Sequence, residues 1–106
     1  MIEKTFTGQL QYTEPILVPN GNWLQYQIKE STATFSATVS AQWILDISDP
    51  ARPNDNDERW TTTEDTDVYS DPVTKVSQTG GFWFRLAILA GKYSCGEAKA
   101  IIKICP

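Results

Sequence analysis

Residues 33–47 read ATFSATVSAQWILDI, and apolar and polar side chains alternate along almost the whole stretch. One face would carry the apolar residues Phe35, Ala37, Val39, Ala41, Trp43, Leu45 and Ile47. The other face would carry mainly hydroxyl, amide and carboxylate side chains, interrupted only by Ile44. A period of two is typical of a β-strand with one buried face, so this stretch predicts one long strand.

The C-terminal third contains two more alternating runs, at residues 82–88 and 98–104. The connection between them, residues 91–96, begins and ends with glycine. Two alternating runs joined by a glycine-containing turn are typical of a β-hairpin. We therefore expect these two strands to pair with each other.

Shorter segments supply the remaining strands. Residues 23–28 alternate directly after Pro19-Asn20-Gly21-Asn22, which is a sequence typical of turns. Residues 67–70 and 73–77 are further candidates. Several short strands separated by turn residues are typical of a β-sandwich or a small barrel, and we expect an all-β antiparallel sandwich of about seven or eight strands.

The N-terminal segment has a weaker pattern. Phe6, Gly8, Leu10 and Tyr12 are spaced to share one face of a strand, and residues 16–18 are apolar and predict a second short strand. We expect residues 1–18 to form an N-terminal arm or an edge-strand segment. Because 106 residues is close to the commonest domain size, residues 1–106 are expected to be a single domain with one core.

Composition argues against several classes of partner. The net charge is −4, and acidic residues are concentrated between Asp46 and Asp71, whereas phosphate binding depends on patches of Lys and Arg. We expect no nucleic acid partner. No run approaches the roughly 18 apolar residues of a membrane helix, and the first residues lack a basic segment followed by an apolar one. We therefore expect neither a membrane partner nor an export signal.

The stretch from Ser48 to Thr66 is polar and contains two prolines, so we predict a long exposed loop that ends at Trp60. Its run Asn54-Asp55-Asn56-Asp57-Glu58 offers carboxylates at alternate positions, as calcium loops do. The run lacks the glycine and the distant glutamate of the EF-hand loop. We therefore expect no bound metal and no cofactor.

The chain contains no histidine, which removes the commonest general base and the commonest zinc ligand. A pair of carboxylates could still hydrolyse a glycoside. Candidate carboxylates close to Trp60 in the sequence are Glu58, Glu64, Asp65 and Asp67. No spacing holds two of them across a cleft, so we expect a solvated loop and no enzymatic activity.

The two cysteines are Cys95 and Cys105. In the predicted hairpin they lie at opposite ends, roughly 25–30 Å apart, whereas a disulfide requires Cα atoms within about 7 Å. We expect both thiols to be free, which fits a protein that folds in a reducing cytoplasm. We interpret Cys95 as a small buried hydrophobe rather than a reactive thiol.

The run Phe82-Trp83-Phe84 places aromatic side chains on both faces of one strand. Either both faces are covered within the fold, or Trp83 contacts another subunit. Trp43 lies on an apolar face and is expected in the core, whereas Trp23 and Trp60 lie beside loops. The residues that we expect at a contact surface are Trp23, Trp60, Tyr69, Trp83 and Arg85.

Two sets of residues resemble small virion proteins of tailed phages. In those proteins an aromatic-Arg-Leu strand runs through a Tyr-containing glycine turn into a last alternating strand, as Phe84-Arg85-Leu86 and Tyr93-Ser94-Cys95-Gly96 do here. Upstream, residues 35–43 followed by Asp46 and Trp60 are similar to the strand that leads through an Asp-rich turn to a tryptophan.

The resemblance implies an Ig-like or jelly-roll-like β-sandwich, made in the host cytoplasm and assembled into the virion. The implied function is a head decoration or cement protein that binds the outside of the capsid and stabilises it. Its partners would be the major capsid protein or other virion subunits, and it would form a homodimer or homotrimer. Residues 1–18 and the aromatic patches would dock on the capsid or add a strand to a neighbouring sheet edge.

Two alternatives stay open. One is a tail, neck or fibre-adaptor protein of the phage that uses the same sandwich. The other is a non-catalytic carbohydrate-binding module that presents Trp60, Trp83 or Tyr69 to a glycan.

Overall fold

The computed structural model describes residues 1–30, 32, 34–45, 51–66, 73–76 and 81–105. All regular secondary structure in these residues is β-strand, and every strand pairing is antiparallel, which confirms the predicted all-β class. The strands are β1 Ile2–Phe6, β2 Gln11–Tyr12, β3 Ile16–Val18, β4 Trp23–Glu30, β5 Ser36–Ala37, β6 Val39–Ile44, β7 Thr61–Thr66, β8 Val73–Val76, β9 Phe82–Ile88, β10 Tyr93–Cys95 and β11 Ala98–Cys105. The described residues include no helix of the length and apolarity needed to cross a membrane.

The strands form two large sheets and one small pair. The four-stranded sheet has the order β1-β11-β4-β8. The five-stranded sheet has the order β2-β9-β6-β7, and β3 also pairs with β9. A separate pair is formed by β5 and β10. The two large sheets contribute their apolar faces to one core, which is the predicted β-sandwich.

Aromatic rings join the two sheets across the core. Tyr26 of β4 and Phe84 of β9 belong to opposite sheets, and their ring centroids are 5.0 Å apart. Trp43 of β6 packs edge-on against Phe82 and Phe84, with centroid distances of 4.6 Å. Burial of one large apolar side chain contributes about 1.5–3 kcal/mol. The Tyr26–Phe84 contact joins the two sheets, while the Trp43 contacts pack the inner side of the five-stranded sheet.

The predicted C-terminal hairpin is wrong, because β9 and β11 lie in different sheets. β9 pairs with β2, β3 and β6, whereas β11 pairs with β1 and β4. The connection between them contains β10, which pairs with β5, and it turns at both Gly91 and Gly96. All 7 residues of β9 are buried. A strand that is covered on both faces belongs inside a sheet with neighbours on each side, which explains its position.

Residues 33–47 also differ from the prediction, since they form two strands instead of one. The break is at Thr38, whose N–H donates a hydrogen bond of 2.7 Å to the carbonyl of Lys92. At this point the chain changes partners, because β5 pairs with β10 and β6 pairs with β9 and β7. The apolar face is buried from Phe35 to Ala41, whereas Leu45 is exposed. Ala33 and Ile47 lie outside the described residues.

Residues 1–18 contribute three strands to the sandwich. β1 is the edge strand of the four-stranded sheet, and the short strand predicted at residues 16–18 is confirmed as β3. The face predicted for Phe6, Gly8, Leu10 and Tyr12 does not form. β1 ends at Phe6, and Leu10 is exposed with a φ of 55°, a conformation that no regular strand contains.

The polar stretch from Ser48 to Thr66 is not a loop throughout. The loop ends at Trp60 as predicted, but residues 61–66 form β7 at the edge of the five-stranded sheet. Threonine favours extended backbone, which explains why this polar segment forms an edge strand although it has no apolar side chains. The strands predicted at 23–28 and 73–77 are confirmed as β4 and β8, and the one at 67–70 lies outside the described residues. Two- and three-residue strands raise the count to 11 in the described part of the chain.

Candidate interaction surface

Arg85 lies on the outward side of the five-stranded sheet. Phe84 and Leu86 are core residues, so the alternation of β9 directs Arg85 away from the core. Its side chain is nevertheless only 3% exposed. Other parts of the chain must therefore cover this side of the sheet around it.

Two aromatic rings enclose the guanidinium group. Its Cζ lies 4.2 Å from the centroid of the Tyr12 ring and 4.4 Å from that of the Trp60 ring. At these distances both rings form cation–π interactions, each contributing about 0.5–2 kcal/mol. Tyr12 belongs to β2 and Trp60 ends the polar loop, so two distant segments meet on Arg85.

Hydrogen bonds complete the enclosure. The Nε of Arg85 donates to Gln42 Oε1 at 2.8 Å, and its Nη1 donates to the carbonyl of Asp55 at 3.0 Å. The carboxylate of Asp55 lies 3.7 Å from Nη1. We refer to Tyr12, Gln42, Asp55, Trp60 and Arg85 as the Arg85 cluster. Burial lowers the pKa of Arg85, while neighbouring Asp55 and Asp57 act in the opposite direction. Arginine remains protonated in proteins, so the cluster contains a positive charge on Arg85 that faces the carboxylate of Asp55.

The loop that carries Trp60 has a regular internal structure. The N–H of Asp57 donates to the carbonyl of Asn54 at 3.2 Å, and Trp60 Nε1 donates to the same carbonyl at 3.0 Å. Arg59 donates to both carboxylate oxygens of Asp57, at 3.0 and 2.9 Å. Hydrogen bonds from Arg59 lower the pKa of Asp57 from 3.8 to about 2. The loop is therefore closed by its own hydrogen bonds and attached to the sheet through Arg85.

Thr13 attaches the other enclosing segment. Its N–H donates to the carbonyl of Leu86 at 2.8 Å, and its Oγ1 accepts from the N–H of Leu86 at 2.9 Å. Thr13 is fully buried, so these two bonds satisfy polar groups that water cannot reach. They hold the neighbouring Tyr12 against β9.

Apolar side chains continue this outward side beyond the Arg85 cluster. Leu17 of β3 pairs with Trp83 of β9, and Trp83 pairs on its other side with Ile44 of β6. Trp83 is 9% exposed, whereas Leu17 is 41% exposed. We refer to Tyr12, Leu17, Trp60, Trp83 and Arg85 as the aromatic face. It is a preformed surface whose accessible parts are the half-buried rings of Tyr12 and Trp60 and the side chain of Leu17.

The five residues predicted at a contact surface fall in different places. Trp60, Trp83 and Arg85 come together on the aromatic face, but Trp83 and Arg85 are buried and support the surface from below. For Trp83 this selects the first of the two alternatives, coverage within the fold. Trp23 lies on the opposite sheet and is 47% exposed. Tyr69 lies outside the described residues.

Sequence reasoning missed Tyr12, Leu17 and Gln42. Tyr12 was assigned to a face that does not form, and Gln42 has the appearance of a solvated strand residue. Leu17 was recognised as part of a short strand, but nothing in three consecutive apolar residues shows which one points outward. The one available signal was Arg85 itself, which lies within the apolar run 82–88. A cation inside an apolar strand requires partners, so polar or aromatic side chains were to be expected around it.

Both cysteines are free, as predicted. The hairpin argument for this was wrong, yet the seven residue steps along β11 from Ala98 to Cys105 alone span roughly 23 Å. The interpretation of Cys95 as buried is also wrong, since its thiol is exposed and lies 3.0 Å from the carbonyl oxygen of Thr34. Cys95 ends the edge segment β10, which leaves its side chain in water.

The acidic residues near Trp60 have structural partners. Asp57 pairs with Arg59, and Asp65 accepts a 2.6 Å hydrogen bond from Ser40 Oγ. Glu58 is exposed, the side chain of Glu64 is not described, and Asp67 lies outside the described residues. Across the described ranges, no three His, Cys, Asp or Glu side chains are grouped as metal ligands would be.

A polar groove of about 700 Å³ lies where β5 gives way to β6. It is lined by Ser36, Ala37, Thr38, Asp65, Gly91, Lys92 and Ser94. Hydroxyl groups dominate this lining, and no aromatic ring takes part in it, so the groove lacks the stacking surface that sugar sites use.

A scan against protein-family models, a search of the curated proteins and a search of the solved structures each found no match to this chain.

Proposed function

We propose that this chain is a non-catalytic structural protein of a tailed-phage virion, a head decoration or cement protein that binds the capsid from outside. The observation that carries the proposal is the aromatic face. Protein interfaces concentrate Tyr, Trp and Arg near their centres. Here these residues are already immobilised by the Arg85 cluster, so binding would cost little additional side-chain entropy.

The virion context comes from the resemblance of Phe84-Arg85-Leu86 and the Tyr93–Gly96 turn to virion proteins. In the structure Arg85 of the first motif supports the aromatic face, while Phe84 and Leu86 are core residues. The second motif forms part of the crossing between the two sheets. The motifs therefore support the proposal because Arg85 supports the aromatic face. The hairpin that the resemblance implied does not form and gives no support.

The sheet edges favour docking through a face over docking by strand addition. β1 carries the half-buried Lys4 on the same side as the core residue Phe6. β7 carries Asp65, and Pro15 and Pro19 flank β3. Charges and prolines at sheet edges oppose pairing with another chain. Residues 1–18, which pair within their own chain, thus bind a partner through Leu17 and Tyr12 rather than by extending into its sheet.

Deletion of the gene from the phage tests the proposal. Particles that lack the protein should lose infectivity faster on heating and on osmotic shock than particles that contain it, because many weak contacts repeated over the shell add up. Addition of the purified chain should restore resistance. Full resistance without the protein, together with its absence from purified heads, would contradict the proposal. A large copy number places it on the head, and a small one places it in the tail or neck.

One observation favours a carbohydrate-binding module as a second candidate. Trp23 is exposed beside Gln25 and Gln27 on the outward side of β4, and such a ring next to amide groups can stack on a sugar. A glycan array tests this. Binding that disappears in Trp23→Ala would replace the virion proposal with a glycan-binding function.

A further inference from the structure

The outward side of the four-stranded sheet is rich in lysine. Register pairs place Lys29 beside Lys99, Gln27 beside Ile101 and Gln25 beside Lys103. The alternate positions on the same strands are core residues, so these side chains all point outward. We refer to the group as the lysine face, and its members are Trp23, Gln25, Gln27, Lys29, Lys99, Ile101 and Lys103.

The lysine face carries net positive charge although the chain is acidic. Three of the six lysines in the sequence, Lys29, Lys99 and Lys103, belong to this face, and Glu3 of β1 lies beside Ile101 on the same outward side. Within the described part of the chain, Lys99 forms an ion pair with Glu3 at 3.1 Å, whereas Lys29 and Lys103 form none. The half-buried Ile101 and the exposed Trp23 add apolar area to this positive surface.

The opposite side of the sandwich is acidic. Of the 13 acidic residues, nine lie between Asp46 and Asp71 in the sequence, and the described part of this segment includes the loop that carries Trp60. Exposed members in the described residues are Asp55, Glu58 and Asp65, which we call the acidic rim. Asp55 contacts Arg85, and Asp65 lies in the same register row as Tyr12, across Ala87 and Ser40. These carboxylates therefore share the outward side of the sheet with the half-buried rings of Tyr12 and Trp60.

We propose that the lysine face of one copy docks on the acidic rim and aromatic face of the next copy. Lysine would meet carboxylate around the outside, while Trp23 and Ile101 would meet Leu17 and the rings of the aromatic face. This charge complementarity is why we name a second copy as the occupant. The inference rests on the proposed function, since it identifies one partner of the aromatic face as the chain itself.

The two surfaces differ and lie on opposite sides of the molecule, so the contact is head-to-tail. Such heterologous contacts close into a ring or continue as an open stack. At each end one surface of an open assembly remains available. An open stack that ends on the virion would therefore still present an aromatic face to a capsid subunit.

Charge-reversal variants in analytical ultracentrifugation test the docking. At low ionic strength the wild-type chain should associate in a concentration-dependent manner, and each of Lys29→Glu and Lys103→Glu should weaken association about tenfold, because a like-charge contact replaces an attractive one. The matched control is Lys92→Glu, which changes the net charge equally but lies outside the lysine face and beside Asp65 of the acidic rim. Its added carboxylate does not repel the lysine face, so this variant should associate at least as tightly as the wild type.

A charge swap separates docking from a general effect of net charge. Lys29→Glu/Lys103→Glu and Glu58→Lys/Asp65→Lys should each be monomeric, and an equimolar mixture should associate. Thermal melts of each variant alone verify that it is folded. A wild-type chain that stays monomeric, or a mixture that does not associate, would overturn the docking proposal.

The outcome is independent of the test of the proposed function. A monomer found on virions would overturn only the docking between copies, and loss of virion binding in Lys103→Glu would then identify an acidic partner protein on the lysine face. An associating chain that is absent from virions would overturn only the virion role.

Discussion

At the scale of single residues, Arg85 determines how the outward side of β9 is organised. A buried cation costs several kcal/mol unless it is paired. Here the cost is offset by two ring faces, a glutamine oxygen and a backbone carbonyl. Because these partners come from three separate segments, one side chain holds β2, β6 and the polar loop together.

Arg85→Lys should lower the free energy of unfolding by about 1–3 kcal/mol, because an ammonium group cannot reproduce the planar fork or stack between two rings. Urea denaturation measures this. The control is Arg52→Lys, at an exposed ion pair with Glu14, where we expect a change below about 0.5 kcal/mol. Equal effects at the two positions would show that the Arg85 cluster does not stabilise the fold.

Asp57 gives the loop a defined dependence on pH. Hydrogen bonds from Arg59 lower its pKa from 3.8 to about 2, so the folded state binds this proton less readily than the unfolded state. The stabilisation is complete above the unfolded pKa and is lost as the pH falls through the folded pKa.

Asp57→Asn should therefore be less stable than the wild type at neutral pH, and the difference should shrink as the pH falls below 3.8 and be lost as the pH falls through about 2. Urea midpoints of both proteins across this range measure it. A difference that stays constant with pH would mean that the Arg59 contact does not depend on the ionised carboxylate.

At the scale of elements, the crossing from β9 to β11 decides the topology. Period-two alternation predicted both strands, but alternation cannot show which strands are neighbours. The apolar character of both faces of 82–88 indicates a strand that is covered on both faces, but it does not show which strands pair with it. Likewise, the alternation through residues 33–47 continued across the break at Thr38, because a change of pairing partner leaves side-chain direction nearly unchanged.

Gly96 makes this crossing sterically feasible. It has a φ of 84°, and a Cβ at this position would lie 2.6 Å from the Cα of Phe35. Gly91 has a similar φ of 74° but nothing within 4 Å of the corresponding position. A comparison of substitutions at Gly91 and Gly96 therefore distinguishes the cost of backbone strain, which both share, from the cost of steric overlap, which only Gly96 has.

Gly91→Ala should cost about 1 kcal/mol from its backbone conformation alone, whereas Gly96→Ala should cost at least 2 kcal/mol more, on the order of other severe steric changes. Thermal and urea unfolding of the two variants provide the comparison. Equal losses would contradict the close approach of the crossing to Phe35.

At the scale of the whole molecule, the sandwich separates charge onto its two outward sides. One side is lysine-rich, and the other is acidic around a set of immobilised rings. The acidic segment and the sandwich could be predicted from the sequence. The lysine face and the aromatic face could not, because they depend on which strands are neighbours in each sheet. Trp60 and Arg85 were expected at a surface, yet only their arrangement shows that Arg85 is the support and Trp60 the exposed part.

Rebinding of the purified chain to particles that lack it shows whether the aromatic face binds the capsid. Wild-type protein should bind saturably and restore resistance to heat, whereas Leu17→Asp should bind at least about tenfold more weakly, because it places a charge in the centre of the contact. The control, Leu10→Asp, alters a leucine that is 56% exposed and belongs to neither proposed surface, and it should bind as the wild type does. Equal binding of all three proteins, or no binding of the wild type, would contradict the account.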